Sequence, residues 1–187
     1  RTDDGGFVVV GWSDSNDGDA TGSHGAMDIL VTKLDASGST QWSRALGGTE
    51  TEFGVSCIEA SDGSILVMGN TGSVDGDVTG TLGIQGIWVV KLSAQGTLLW
   101  QRTYGGSGSE NAIAHIRQTP DGGFILHGLT TSDDGDVTDL NGPGEQDHWI
   151  VKLDAAGDIE WNRTLGGSGA EYGINVIPTT DGGYIVN

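Results

Sequence analysis

Short apolar runs rich in Val, Ile and Leu follow one another along the chain, each closed by a turn containing Gly or Asp, and none keeps a helical period. In the middle of the chain the runs Ile65 to Gly69, Ile87 to Leu92, Thr97 to Thr103 and Ala112 to Gln118 predict four strands. The pattern then recurs. The turn Asp4-Gly5-Gly6 returns as Asp62-Gly63-Ser64, Asp121-Gly122-Gly123 and Asp181-Gly182-Gly183, at spacings of 58, 59 and 60 residues. Lys33-Leu34, Lys91-Leu92 and Lys152-Leu153 form a second series, Trp42, Trp100 and Trp161 a third, and the pairs Gly47-Gly48, Gly105-Gly106 and Gly166-Gly167 a fourth. Four markers in constant order define an internal repeat.

Four strands in about 59 residues describe a propeller blade, so the predicted fold is all-β: a β-propeller built of four-stranded antiparallel blades. Another β-repeat solenoid, such as a parallel β-helix, is the competing reading, but its coils are shorter and do not need hairpin-like Asp-Gly turns. The predicted repeats span 4–61, 62–120 and 121–180, with a repeated strand at 181–187, as parts of one propeller. Within them, two complete blades cover about 53–103 and 112–164, with the Trp strand outermost. Three units fall short of the roughly four to eight blades that close a ring. The expectation is therefore a window onto a longer chain, or a protomer that completes the ring with copies of itself. The start at Arg1 reads as a mature or excised segment.

The repeated Asp-Gly-Gly turns, Lys-Leu pairs, Trp and Gly-Gly steps resemble those of secreted, surface-associated bacterial β-propellers, familiar in Bacteroidota proteins with a C-terminal secretion-sorting domain. The resemblance spans essentially the whole chain. It implies a propeller fold, an extracellular or cell-surface location and a role in adhesion or assembly; it implies no particular activity.

Composition narrows the partners. The 34 glycines and only 3 prolines suit many tight turns. Asp and Glu number 26 against 8 Lys and Arg, a formal charge of −18, which repels nucleic acid phosphates. No apolar run approaches the roughly 18 residues of a membrane helix, so membrane insertion is not expected. Cys57 is the only cysteine and reads as a small buried apolar residue.

In an up-and-down meander alternate connections share a side, and here the two long ones carry the acids. One contains Asp17 and Asp19, Asp75 and Asp77, or Asp134 and Asp136; the other contains Glu52, Glu110 or Glu171. Asp carboxylates interleaved with Gly turns and a Thr hydroxyl (Thr21, Thr79, Thr138) are suitable Ca²⁺ ligands. The candidate calcium set is Asp14, Asn16, Asp17, Asp19, Asp75, Asp77, Asp133, Asp134 and Asp136, with Asp139 as a further oxygen donor. Turn chemistry is the alternative, with Asp and Thr bonding their own backbone. Asp28 and Asp147 precede matching strands where the middle unit has Gly86, and read as loop-terminating residues.

Catalysis finds little support. Paired acids could serve glycoside hydrolysis, but recurrence in every unit is what structural repeats produce. His24, His115, His127 and His148 occupy unrelated places in the repeat and form no visible metal set. Trp12 has no aromatic counterpart in the other units, which makes it the ligand candidate, whereas the repeated Trp residues read as packing. The resulting expectation is a non-catalytic extracellular binding or scaffold module, with Ca²⁺ as its candidate stabilising ion. Its partner would be a surface glycan, a protein, or further blades of its own kind. A glycan-binding propeller and an accessory domain of a secreted hydrolase are the alternatives.

Overall fold

The computed structural model describes residues 1–80, 83–138, 140, 146–169, 171, 173 and 175–186. All regular structure among them is β. The first sheet joins β1 (Phe7–Ser13), β2 (Asp28–Leu34) and β3 (Thr40–Leu46) in that order. The next joins β4 (Glu52–Glu59), β5 (Ile65–Thr71), β6 (Gly86–Leu92) and β7 (Leu98–Tyr104). A third sheet has five strands: β8 (Glu110–Ala112) and β9 (Arg117–Gln118) both pair with β10 (Phe124–Thr130), which is followed by β11 (Asp147–Leu153) and β12 (Ile159–Leu165). Finally β13 (Val176–Pro178) pairs with β14 (Tyr184–Val186).

This architecture overturns the expected propeller of four-stranded blades. The sheets hold three, four, five and two strands, and none is closed. The reason lies in what the markers specify. An Asp-Gly turn fixes one hairpin, whereas the number of strands in a sheet depends on what continues beyond the hairpin. The first sheet joins three strands, β1 to β3. In the third, the run predicted as one strand from Ala112 to Gln118 divides into β8 and β9, because Ala114 and Ile116 between them are buried off the ladder. Among the described residues β3, β7 and β12, which carry Trp42, Trp100 and Trp161, lie at sheet edges.

The hairpins themselves follow from local chemistry. At each Asp-Gly turn the first Gly takes positive φ (85° at Gly5, 77° at Gly63, 85° at Gly122 and 86° at Gly182), a conformation cheap only without a Cβ. The turns close in one way, with Ala60 N–H bonding Ser64 O and Gly63 N–H bonding Ala60 O, and the same pair of bonds at Thr119 with Gly123 and Gly122. β1 with β2, β2 with β3, β4 with β5, β10 with β11 and β11 with β12 all pair antiparallel.

The chain divides into two compact units, Arg1–Thr81 with Trp88–Thr103, and Leu82–Ile87 with Tyr104–Asn187. The core of the first gathers Ile29, Val31, Ile65, Val67, Trp88 and Val90, with Val8, Val10, Trp42 and Cys57 packed against it. In the second, Ile125, Ile150 and Val176 are covered by Trp161, Tyr184 and Val186. Trp88 and Trp149 are fully buried, and each indole N–H finds an acceptor on the neighbouring strand, Gln101 Oε1 at 2.7 Å and Asn162 Oδ1 at 3.1 Å. Cys57, expected to be buried, is half-buried, and burial pushes its thiol pKa up.

Candidate functional site

The acids of the two long connections meet each other through the Gly-Gly step. After β3 the chain turns at Gly47 and Gly48, and four successive backbone N–H groups point at side-chain oxygens. Gly47 N–H reaches Asp77 Oδ2 at 3.4 Å, Gly48 N–H bonds Glu52 Oε2 at 2.9 Å, Thr49 N–H bonds Asp75 Oδ1 at 2.8 Å, and Glu50 N–H bonds Ser73 Oγ at 2.9 Å. The second unit repeats the arrangement. Gly105 N–H bonds Asp136 Oδ2 at 3.1 Å, Gly106 N–H bonds Glu110 Oε2 at 2.9 Å, Ser107 N–H bonds Asp134 Oδ1 at 2.7 Å, and Gly108 N–H bonds Ser132 Oγ at 2.8 Å. Backbone bonds from Asp77 N–H to Gly47 O and from Asp136 N–H to Gly105 O return the contact.

Close approach explains the glycines. A Cβ on Gly48 would lie 2.5 Å from Ser73 Cβ and 2.6 Å from Asp75 O, and one on Gly106 would lie 2.5 Å from Asp134 O and 2.6 Å from Ser132 Cβ. The two connections can come this close only because Gly48 and Gly106 carry no side chain.

Glu52 and Glu110 are fully buried, so they do not belong to an exposed acidic face as their loop position suggested. Each also accepts a hydroxyl hydrogen bond at Oε1, from Thr71 at 2.7 Å and from Thr130 at 2.8 Å; Ser132 Oγ adds a second to Glu110 at 2.5 Å. A buried carboxylate surrounded by N–H and O–H donors is held as an acceptor, and its charge is offset by these dipoles.

The candidate calcium residues are therefore divided. Asp75, Asp77, Asp134 and Asp136 spend carboxylate oxygens on the Gly-Gly loops, as turn and loop chemistry requires. In the connection between β1 and β2 Asp14, Asn16, Asp17 and Asp19 are exposed, and Asn16 Oδ1 accepts the Gly22 N–H at 3.2 Å. Asp133 is exposed, and Asp139 lies outside the described residues. Among the described residues no group of three or more His, Cys, Asp or Glu side chains is arranged to hold a metal ion. Of the threonines proposed as further donors, Thr79 bonds Gln101 and Thr138 bonds Asn162 Oδ1 at 3.2 Å.

Trp12 is 55% exposed and meets Phe53 edge to face, with ring centroids 5.4 Å apart and planes at 86°. Phe7 and Val9 of β1 are also exposed, but strand alternation turns them to the face opposite Val8, Val10 and Trp12. A separate cavity of about 560 Å³ is lined by Trp42, Gln41, Asp4, Glu59 and Gln95. Its floor includes Gly63 and Ile65.

Two features escaped the reading of the sequence. His127 and His148, on paired strands, approach to 3.0 Å between Nε2 and Nδ1. Burial, with a smaller contribution from His148, pushes the His127 pKa down to about 4. Their offset of two positions across the β10–β11 ladder (His127 faces Ile150, His148 faces Leu129) could be found only once the register was known. The second is Asp28, whose carboxylate is buried and accepts the His24 N–H at Oδ2, 2.6 Å away.

No family model matches this chain, and no curated protein matches it. Among solved structures, a protein of unknown function from Bacteroides caccae is similar over 90% of this chain and 69% of its own, at 11% identity and a TM-score of 0.40.

Proposed function

We propose that this chain is a non-catalytic binding or scaffold module that works outside the cell, in surface adhesion or assembly. The observation that carries the proposal is the fate of the recurrent carboxylates: Glu52, Glu110, Asp75 and Asp134 serve as acceptors for the backbone of the Gly-Gly loops. A hydrolytic pair needs carboxyls that reach substrate, whereas Glu52 and Glu110 are both fully buried. Binding then falls to the exposed aromatic pair of Trp12 and Phe53. The extracellular setting rests on the repeat resemblance.

A second reading, a glycan-binding module, is favoured by the cavity beside Trp42, where an indole, two carboxylates and two carboxamides supply the apolar face and the hydrogen-bonding groups that a sugar presents complements to. One experiment separates the two. Purified chain is tested against a panel of bacterial surface polysaccharides and, by light scattering over a concentration series, against itself. Loss of either interaction in W12A/F53A supports the adhesive surface; polysaccharide binding lost in Q41A/Q95A supports the glycan reading. A chain that stays monomeric and binds no polysaccharide overturns both.

A further inference from the structure

Beside the Gly47 loop lies a carboxylate oxygen without a partner. Asp28 is 1% exposed, and its Oδ1 is buried with no hydrogen-bond donor in reach. It shares its surroundings with Glu52: Asp28 Oδ1 and Glu52 Oε2 both fall within 2.5 Å of the position a Cβ on Gly47 would take. The two oxygens are thus no more than about 5 Å apart, a separation at which like charges oppose each other's ionisation.

The other three carboxylate oxygens are already acceptors. Gly48 N–H and the Thr71 hydroxyl donate to Glu52, and the His24 backbone N–H donates to Asp28 Oδ2, which the His24 ring also approaches with Nδ1 3.3 Å away. These contacts leave Asp28 Oδ1 as the uncommitted oxygen of a buried acid pair. A cation bound between the two carboxyl groups would satisfy it.

The second unit contains a related pair, with the uncommitted oxygen on the glutamate. Asp147 and Glu171 flank Gly166, with Asp147 Oδ1 and Glu171 Oε2 both within 2.7 Å of its Cβ position, and Glu171 Oε2 is buried without a donor. In the middle of the chain Gly86 stands where these units have Asp. There Glu110 is satisfied by Gly106 N–H and two hydroxyls alone.

We propose that Asp28 with Glu52, and Asp147 with Glu171, each bind one Ca²⁺ ion at the base of a Gly-Gly loop. Hard oxygen donors select this class of cation, with loop carbonyls and water completing its shell. The site differs from the Asp-Gly-Asp turns at Asp75 and Asp134, whose carboxylates accept loop N–H groups, and it stands independently of the adhesive reading above.

The test is calorimetric titration of chelator-stripped chain with CaCl₂ at neutral pH and fixed ionic strength. The expected result is two ions per chain, one in D28N, one in D147N and none in the double variant. G86D, which places the missing carboxylate beside Glu110, raises the count to three. Circular dichroism confirms folding of each variant, and because the two sites lie in different units D147N tests the proposal even where D28N does not fold. Absence of Ca²⁺ binding overturns the proposal, as does a stoichiometry unchanged in D28N/D147N. A proton shared by the two acids is the competing state: D28N, which puts a donor where that proton would sit, would then match or exceed the parent in stability while the parent binds no Ca²⁺.

Discussion

The Lys33 ammonium rests 2.8 Å from Asp4 Oδ2, joining the first residue of the Asp-Gly-Gly turn to the Lys-Leu pair 29 positions later. The same bond recurs between Lys91 and Asp62 and between Lys152 and Asp121, each at 2.9 Å. Two of the four sequence markers are thus halves of one interaction. The second Gly of the turn makes room for it: a Cβ on Gly6 would lie 2.7 Å from Lys33 Nζ, and one on Gly123 would lie 2.6 Å from Lys152 Nζ.

The partners of this bond differ in exposure, which sets the order of mutational cost. The Asp4 side chain is half exposed and can return to water, while the Lys33 side chain is 4% exposed. Removing the acid leaves a buried ammonium with the Leu34 carbonyl as its remaining acceptor. D4A should therefore lower the urea midpoint more than K33M does.

Acid should weaken the fold through the same bonds. The Ser64 hydroxyl and Lys91 hold the Asp62 pKa down at about 2. Lys33 and Thr2 hold Asp4 well below the usual carboxylate range, and Thr119 and Lys152 do the same for Asp121. A depressed folded-state pKa contributes stability that is present above the unfolded value of about 3.9 and is lost as pH falls through the folded value. Unfolding titrations should show stability declining from about pH 4 toward pH 2, with a shallower decline in D4N/D62N/D121N.

His127 governs a separate window. Its folded pKa near 4 lies below the ordinary 6.5, so the unfolded chain takes up a proton first and stability falls as pH drops from 6.5 toward 4. H127L should flatten that part of the profile and leave the part below pH 4 unchanged.

Glycines that share positive φ should differ in tolerance. Gly122 (φ 85°) has open space where a Cβ would go, so G122A should cost about 1 kcal/mol for the left-handed backbone alone. Gly135 (φ 65°) would set its Cβ 2.6 Å from the Gly105 carbonyl, and G135A should cost about 2–4 kcal/mol by thermal unfolding.

Replacing Glu110 by Gln should cost about 1–3 kcal/mol, since its amide group would turn an N–H donor toward the hydroxyls or the Gly106 N–H. The loss should be the same in Ca²⁺ and in chelator. A loss confined to Ca²⁺ would place a cation at this loop as well.

The sequence by itself determined the elements and their turns. Alternation and β-branched content predicted strands at Ile65 to Gly69 and Ile87 to Leu92, and β5 and β6 occupy Ile65–Thr71 and Gly86–Leu92. The Asp-Gly steps predicted hairpins because positive φ and a short acceptor side chain are local requirements. The candidate acids were legible as a series, and so was the alternative that they serve turns. The tertiary structure alone decided how many strands each sheet holds, since Ala114 and Ile116 leave the ladder for a buried place that no local rule specifies. It also decided which acids are exposed and which are buried. Glu52 and Asp75 look alike in a loop sequence, but only Glu52 lies where Thr71 and the Gly48 N–H converge across a long stretch of chain. Pairings at such separations depend on register and on the close contact of two glycine-bearing loops, and these exist only once the chain has folded.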